Sequence, residues 1–246
     1  MLFQCDLNIE CSMFNGEYCS ILSSDDQYDQ NLPFDKRRAK GGTMVMWKRK
    51  LNAYISRLPT SSSSILPILF TPPAIEASIH ILIYLPTAGR DSAFLEEISC
   101  LYNLILELKS KYHGVPIHIR GDANINHKDT KRIEVFNKFC YDFNVKITQL
   151  NHKTYHHFTG DGISDSELDV LLQICGAKEE LVDVICRKHD PAILSLHDII
   201  FSCFQLSSMS SLNHSELTPM APRVSNDRVK VYWSVEGSET YLKTVG

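Results

Sequence analysis

Paired Cys-x-x-Cys motifs are absent from this sequence; its eight cysteines stand apart at 5, 11, 19, 100, 140, 175, 186 and 203. Scattered thiols of this kind argue against a disulfide scaffold and lead us to expect a reduced, intracellular chain. Positive charge is not in excess either, with 25 Lys and Arg against 29 Asp and Glu and a formal net charge of -4. That balance argues against a protein that coats nucleic acid, and leaves open an enzyme that needs carboxylates around a metal. Long hydrophobic runs are missing as well. The best of them, "ASIHILIYL", is too short to span a bilayer. The opening "MLFQCDLNIE" lacks a basic region followed by an apolar run, so no signal peptide is expected. Internal repeats are not visible. The expectation is a soluble protein with no membrane partner.

What is present is a core. The 246 residues are 43% hydrophobic and 22% charged, enough for one large domain or two small ones. "GGTMVMW" reads as a glycine pair feeding a strand, and "KRKLNAYISRL" as a charged turn followed by a second strand. "ILPILF" stops at Thr71-Pro72-Pro73, and the β-branched "ASIHILIYL" stops at Leu85-Pro86. Asp91 or Ser92 then caps a long helix, with Leu95, Ile98, Leu101, Tyr102, Ile105 and Leu108 as its apolar stripe and Gly114 as its stop. "VPIHIR" is a further strand ending at Gly121. A second helix is predicted over about 129–142, with Ile133, Phe136, Phe139 and Cys140 inward. Short strands follow near "KTYHHF", "LDVLLQ", "ELVDVI" and "LSLHDIIF". This order predicts an α+β, layered domain rather than a βαβ alternation. Past about residue 205 the chain becomes rich in Ser, Asn and Pro. Residues 1–205 are therefore read as the domain and 206–246 as a linker and tail.

Three stretches could carry chemistry. In "IRGDANIN" a strand ends and Asp122 and Asn124 follow, two residues apart, where a rigid sheet holds a loop. Together they could hold a water, a phosphate or a hard cation; alone, Asp-Ala-Asn also simply makes a turn. In "TYHHFTGDGISDSELDVLL", Asp161, Asp165 and Glu167 read as a solvated loop. Asp169 starts an apolar run, and a carboxylate there needs a partner. In "ILSLHDII", His197 stands between apolar flanks. If its strand lies beside that of Asp169, the two form an Asp–His pair with an oriented imidazole. Such an imidazole can stabilise a pentacovalent phosphorus transition state while Asp122 handles the water or the leaving group. The one positive cluster, Lys36, Arg37, Arg38, Lys40, Lys48, Arg49 and Lys50, could meet a phosphate backbone.

Taken in order, "GG" before a strand, "IYLP", "GDAN", "TYHHF", "SELD" and "SLH" resemble the endonuclease/exonuclease/phosphatase superfamily. The resemblance is nearest to the endonuclease domain of LINE-type non-LTR retrotransposons, and covers about residues 41–205. It implies a deoxyribonuclease I-like sandwich of two mostly antiparallel or mixed β-sheets flanked by helices. It also implies DNA as partner, magnesium (or manganese) as cofactor, no small organic cofactor, and a nuclear place of action. Residue by residue, Tyr84 resembles the tyrosine that contacts the scissile phosphate. Asp122 and Asn124 match the Gly-Asp-x-Asn motif that places water and phosphate, with Asp122 shared with the metal. Asp169 matches the aspartate that orients the histidine, and His197 that histidine. Thr154 and Ser166 fit supporting positions.

Two departures stand out. Ser195-Leu196-His197 replaces the family's Ser-Asp-His, which bears on metal binding. The family's first strands, with their Asn and the metal-binding Glu, are not visible, so the domain is expected to lack its first strands; Glu10 is a weak substitute. An open sheet edge would then favour self-association. Three readings follow: a magnesium-dependent endonuclease with impaired activity, a non-catalytic remnant or domesticated binding protein of the same fold, and a phosphatase or phospholipid phosphodiesterase.

Overall fold

The alternation in "ASIHILIYL" sets the centre of the molecule. A computed structural model describes residues 17–23, 43–73, 75–126, 129–150, 153–159, 162–174, 180–187, 197 and 199–205. Strand β5 (Ser78–Tyr84) turns Ile79, Ile81 and Ile83 to one face, all fully buried, because successive strand residues point to opposite sides. Strand β6 (Ile117–Asp122) runs parallel to it. β4 (Ile65–Phe70) pairs antiparallel with β5, and β10 (Asp169–Ile174) antiparallel with β6. With β3 (Ile55–Arg57) and β7 (Lys146–Ile147) they make a six-stranded sheet in the order β3-β4-β5-β6-β10-β7.

A parallel pair needs a crossover, and helix α1 (Asp91–Lys111) supplies it. It lays Phe94, Ile98, Leu101, Leu104, Ile105 and Leu108 into one cluster with Ile79, Ile81, Ile83, Ile117, Ile119, Leu172 and Ile174. Each such side chain contributes about 1.5–3 kcal/mol on burial. Helix α2 (Thr130–Asp142) adds Phe136, Phe139 and Cys140.

Both helices lie where the sequence places them, with three corrections. Leu95 is half exposed, and Phe94 and Leu104 join Ile98, Leu101, Ile105 and Leu108 in the stripe in its stead; the apolar face is set by what the sheet can receive, and it differs from the pattern at its first turn. Ile133 is only partly buried. Neither Asp91 nor Ser92 caps α1. Asp91 is spent on Arg132, Ser92 bonds Glu96, and the N-cap position is Arg90.

The remaining described strands form two-stranded antiparallel ribbons: β1 (Tyr18–Ser23) with β2 (Thr43–Lys48), β8 (Tyr155–Thr159) with β9 (Gly162–Ser166), and β11 (Glu180–Arg187) with β12 (Ile199–Gln205). The β1–β2 ribbon packs on β4 and β5. Among the described residues these strands form separate ribbons rather than one continuous second sheet, within the expected α+β class. "KRKLNAYISRL" folds as a 3-10 helix (Arg49–Tyr54) leading into β3. The glycine pair at 41–42 and the tail at 206–246 lie outside the described residues.

On the sheet face away from the helices the side chains are more polar. His80, Leu82 and Tyr84 of β5 stand beside His118, Arg120 and Asp122 of β6. His80 and His118 stack at 5.0 Å, and burial holds the His80 imidazole well below its usual pKa. This row leads to the strand ends.

Gly121 marks where it gets there. Its φ of +129° lies outside the range of L side chains, and a Cβ there would overlap the Ile83 carbonyl oxygen on the parallel neighbour. Gly121→Ala is therefore expected to destabilise the fold by about 3 kcal/mol or more, measured by urea denaturation. A loss within error of zero would show that the β5–β6 approach is looser than this.

Candidate active site

Strand register builds the first half of the site. Tyr84 at the end of β5 pairs with Asp122 at the end of β6, and Asp122 pairs with Asp169 at the start of β10. Two ladder positions thus put a tyrosine and two aspartates side by side on one face, although they lie far apart along the chain. Backbone bonds continue the ladder past the strand ends: the Leu85 N–H donates to the Asp122 carbonyl, and the Ala123 N–H to the Leu168 carbonyl.

The turn after β6 is held by its own side chains. The Asn124 backbone N–H donates to Asp122 Oδ1 at 2.8 Å, and Asn124 Nδ2 donates to the Leu85 carbonyl at 2.8 Å. Asn124 has a left-handed φ of +51°, a conformation asparagine tolerates better than most residues. Asp-Ala-Asn is therefore a turn, and the turn itself fixes where the Asp122 and Asn124 side chains stand.

His197 arrives from elsewhere. It sits outside β12, in an isolated antiparallel bridge with Tyr155 at the start of β8. The neighbours of β10 are β6 and β7, so His197 does not lie on a strand beside Asp169 as the sequence suggested. The side chains meet nonetheless. With the carboxylate as acceptor, His197 Nδ1–H donates to Asp169 Oδ2 at 3.0 Å, which turns Nε2 toward Asp122 Oδ2 at 3.7 Å. That second distance is too long for a hydrogen bond. The Tyr155 ring packs against the imidazole at 4.9 Å between centroids.

Thr154 is fully buried behind this pair. Its Oγ1 accepts from the Asp169 backbone N–H at 3.4 Å, and its own N–H donates to the Ser166 carbonyl. Ser166 thus supports Thr154 through its backbone. Asp165, expected in a solvated loop, instead lies on β9 and pairs with His156 Nδ1 at 2.9 Å, which β8–β9 pairing brings opposite it. Glu167 is exposed, as are Lys48, Arg49 and Lys50. Glu10, Asp161, Ser195, Leu196, Lys36, Arg37, Arg38 and Lys40 lie outside the described residues.

Burial dominates the electrostatics. Asp122 is 8% exposed, and loss of water pushes its carboxyl up to about 6; the Asn124 N–H and His197 oppose the shift, while Asp169 adds to it. The Tyr84 hydroxyl is raised above its usual pKa, first by burial and then by Asp122 and Tyr155, with Arg90 opposing. A carboxylate poised near neutrality beside an oriented imidazole is an arrangement suited to proton transfer. Two residues here were not singled out by the sequence: Tyr155, which lies within "TYHHF" and whose place depends on facing His197, and Arg132, which grips the Asn124 carbonyl.

With this geometry in hand the fold can be placed: it is that of the endonuclease/exonuclease/phosphatase proteins, solved examples of which it matches. No protein-family model and no curated protein sequence matches the chain. Among particular structures it is similar to the endonuclease domain of TRAS1, a telomere-specific non-LTR retrotransposon. There the identity is 12% and the TM-score 0.56, covering 82% of this chain and 91% of that one. The human Nocturnin catalytic domain matches at 10% identity and TM-score 0.56, covering 82% and 77%. D. rerio TDP2, solved with a single strand DNA product, matches at 13% and 0.52, covering 79% and 80%. At such identities the shared property is the fold. No helix among the described residues is long and apolar enough to cross a membrane.

Proposed function

We propose that this chain hydrolyses phosphodiester bonds in DNA at the Asp122–Asn124–Asp169–His197 cluster, as an endonuclease of retrotransposon type. The observation that carries the reading is the placement of His197, whose Nδ1 is fixed on Asp169 while Nε2 faces Asp122 across 3.7 Å. Nε2 and Asp122 Oδ2 border the same space at the sheet edge, where a phosphoryl oxygen would meet the imidazole and a water the carboxylate. Asp169 holds the imidazole in the tautomer that aims Nε2 at the phosphate and favours its cationic form. An imidazolium there stabilises charge building on the phosphoryl oxygens, and Asp122 takes a proton from the attacking water or supplies one to the leaving oxygen. Tyr84, beside Asp122 in the ladder, offers its hydroxyl to the same phosphate. The TRAS1 and TDP2 structures, which the fold resembles, support DNA as the substrate class.

The donors fit a hard divalent cation shared with substrate. Asp122 is a buried carboxylate whose ionised form lacks solvent, and the amide oxygen of Asn124, whose nitrogen is bonded to Leu85, is the second oxygen that would hold the cation. Among the described residues no three His, Cys, Asp or Glu side chains form a metal-holding group, so water and substrate phosphate would complete the shell, as magnesium prefers. Bound there, magnesium or manganese would neutralise charge on the scissile phosphate. The short donor set also favours a second reading, binding of DNA without turnover.

Magnesium-dependent nicking of supercoiled plasmid tests both. The native chain is expected to nick, with Asp122→Ala abolishing nicking and His197→Ala slowing it about a thousandfold. Nicking that survives both substitutions would remove the site assignment. Retained DNA binding with no nicking would establish the second reading, and turnover of phosphomonoesters alone would replace DNA as substrate.

A further inference from the structure

We propose that Arg132 is a positioning residue for this site, a bracket that holds the loops leaving β5 and β6 in fixed relation and so sets Asn124 and Tyr84 against Asp122. Arg132 lies on the first turn of α2 and is 2% exposed, so it does not reach substrate. Its guanidinium is shared between those two loops and Asp91 of α1. Nη1 donates to the Pro86 carbonyl at 2.7 Å and to the Asn124 carbonyl at 3.3 Å, and Nη2 to the Thr87 carbonyl at 2.8 Å. Nε and Nη2 also donate to Asp91 Oδ1 at 3.0 and 2.8 Å. Asp129 stands 3.3 Å from Nε, and the Phe94 ring lies 4.5 Å beneath the cation. These partners offset the cost of burying the charge.

The loops it joins carry the site. Pro86 and Thr87 follow Tyr84 and Leu85, whose carbonyl receives the Asn124 amide. The Asn124 carbonyl is gripped while its N–H serves Asp122 and its φ stays at +51°. A planar fork can reach carbonyls on two loops at once, whereas a lysine ammonium can hold only a point among them. The bracket explains how a turn with a left-handed residue at its centre keeps one geometry at the sheet edge.

The catalytic consequence rests on the function proposed above; the structural consequence does not, and the test separates them. Amide hydrogen exchange of Arg132→Lys and of Asp91→Asn is compared with native, residue by residue. The Asn124 N–H is expected to exchange about tenfold faster in Arg132→Lys, and in the same direction but less in Asp91→Asn, with Ile81 and Ile119 in β5 and β6 unchanged. In the plasmid assay kcat is expected to fall about 10- to 100-fold with KM little altered. Unchanged Asn124 protection in both variants would overturn the proposal. So would loss of protection spread evenly over β5 and β6, which would make Arg132 a stability residue only. If Arg132→Lys does not fold, Asp91→Asn decides by the same two criteria. If the native chain does not nick, the function above fails, and the exchange result alone decides for or against the bracket.

Discussion

Substituting His197 by alanine is expected to slow the proposed DNA cleavage by about three orders of magnitude, and Asp169→Asn by about two. The larger loss follows from removing the group whose Nε2 faces Asp122 at 3.7 Å. Alanine leaves nothing to stabilise the phosphoryl oxygens from that side. The Asp169 change is subtler. An asparagine keeps an oxygen near Nδ1 but no charge, and its amide can donate to Nδ1 and so move the ring proton to Nε2. The lost charge disfavours the imidazolium, and the donating amide shifts the neutral ring away from the tautomer that the 3.0 Å bond imposes. Single-turnover cleavage of supercoiled plasmid with magnesium measures both variants. If Asp169→Asn matches native while His197→Ala does not, the aspartate is not the orienting partner. If both match native, the cluster is not the site.

Asp122→Asn is expected to abolish cleavage and, at the same time, to stabilise the fold above neutral pH. The sign follows from burial. The folded carboxyl titrates at about 6, above its ordinary 3.8, chiefly because it has lost water. A raised carboxyl contributes stability that is full below its unfolded pKa and is lost as pH rises through the folded one. Above about pH 7 the ionised Asp122 therefore costs the native fold about 3 kcal/mol relative to acid conditions. Asparagine never ionises, and its side-chain oxygen can still accept from the Asn124 N–H. The variant should be more stable than native by about 1–3 kcal/mol above pH 7, and by much less below about pH 4. Urea denaturation of both proteins across this range measures the difference. A gap independent of pH would mean that Asp122 is not the buried carboxylate described. Magnesium should stabilise the native protein and not the variant, since a neutral amide in place of the Asp122 carboxylate lacks the charge that favours a cation.

The parts of this protein legible in the sequence are those fixed by short-range rules. β5 and β6 are readable because β-branched runs end at Leu85-Pro86 and Gly121, and α1 and α2 because apolar residues recur at helical spacing. Asp122 and Asn124 are readable because the turn that shapes them is made by the same two side chains. Where sequence and structure differ, the deciding partner lies far away. Leu95 fits the stripe by spacing, but the sheet receives Phe94. Asp91 fits a cap by position, but a buried guanidinium on another helix takes it. Asp165 reads as a loop residue, but β8 brings His156 opposite it.

By itself, then, the sequence determined the α+β class, the two central strands, the two helices and the turn that presents Asp122 and Asn124, because periodicity and turn chemistry act over a few residues. Only the tertiary structure decided that Tyr84, Asp122 and Asp169 stand abreast, that His197 reaches Asp169 from a bridge with Tyr155, and that Arg132 binds two loops together. Those contacts depend on strand register and on burial, and register is settled only when the strands pair and one face leaves water.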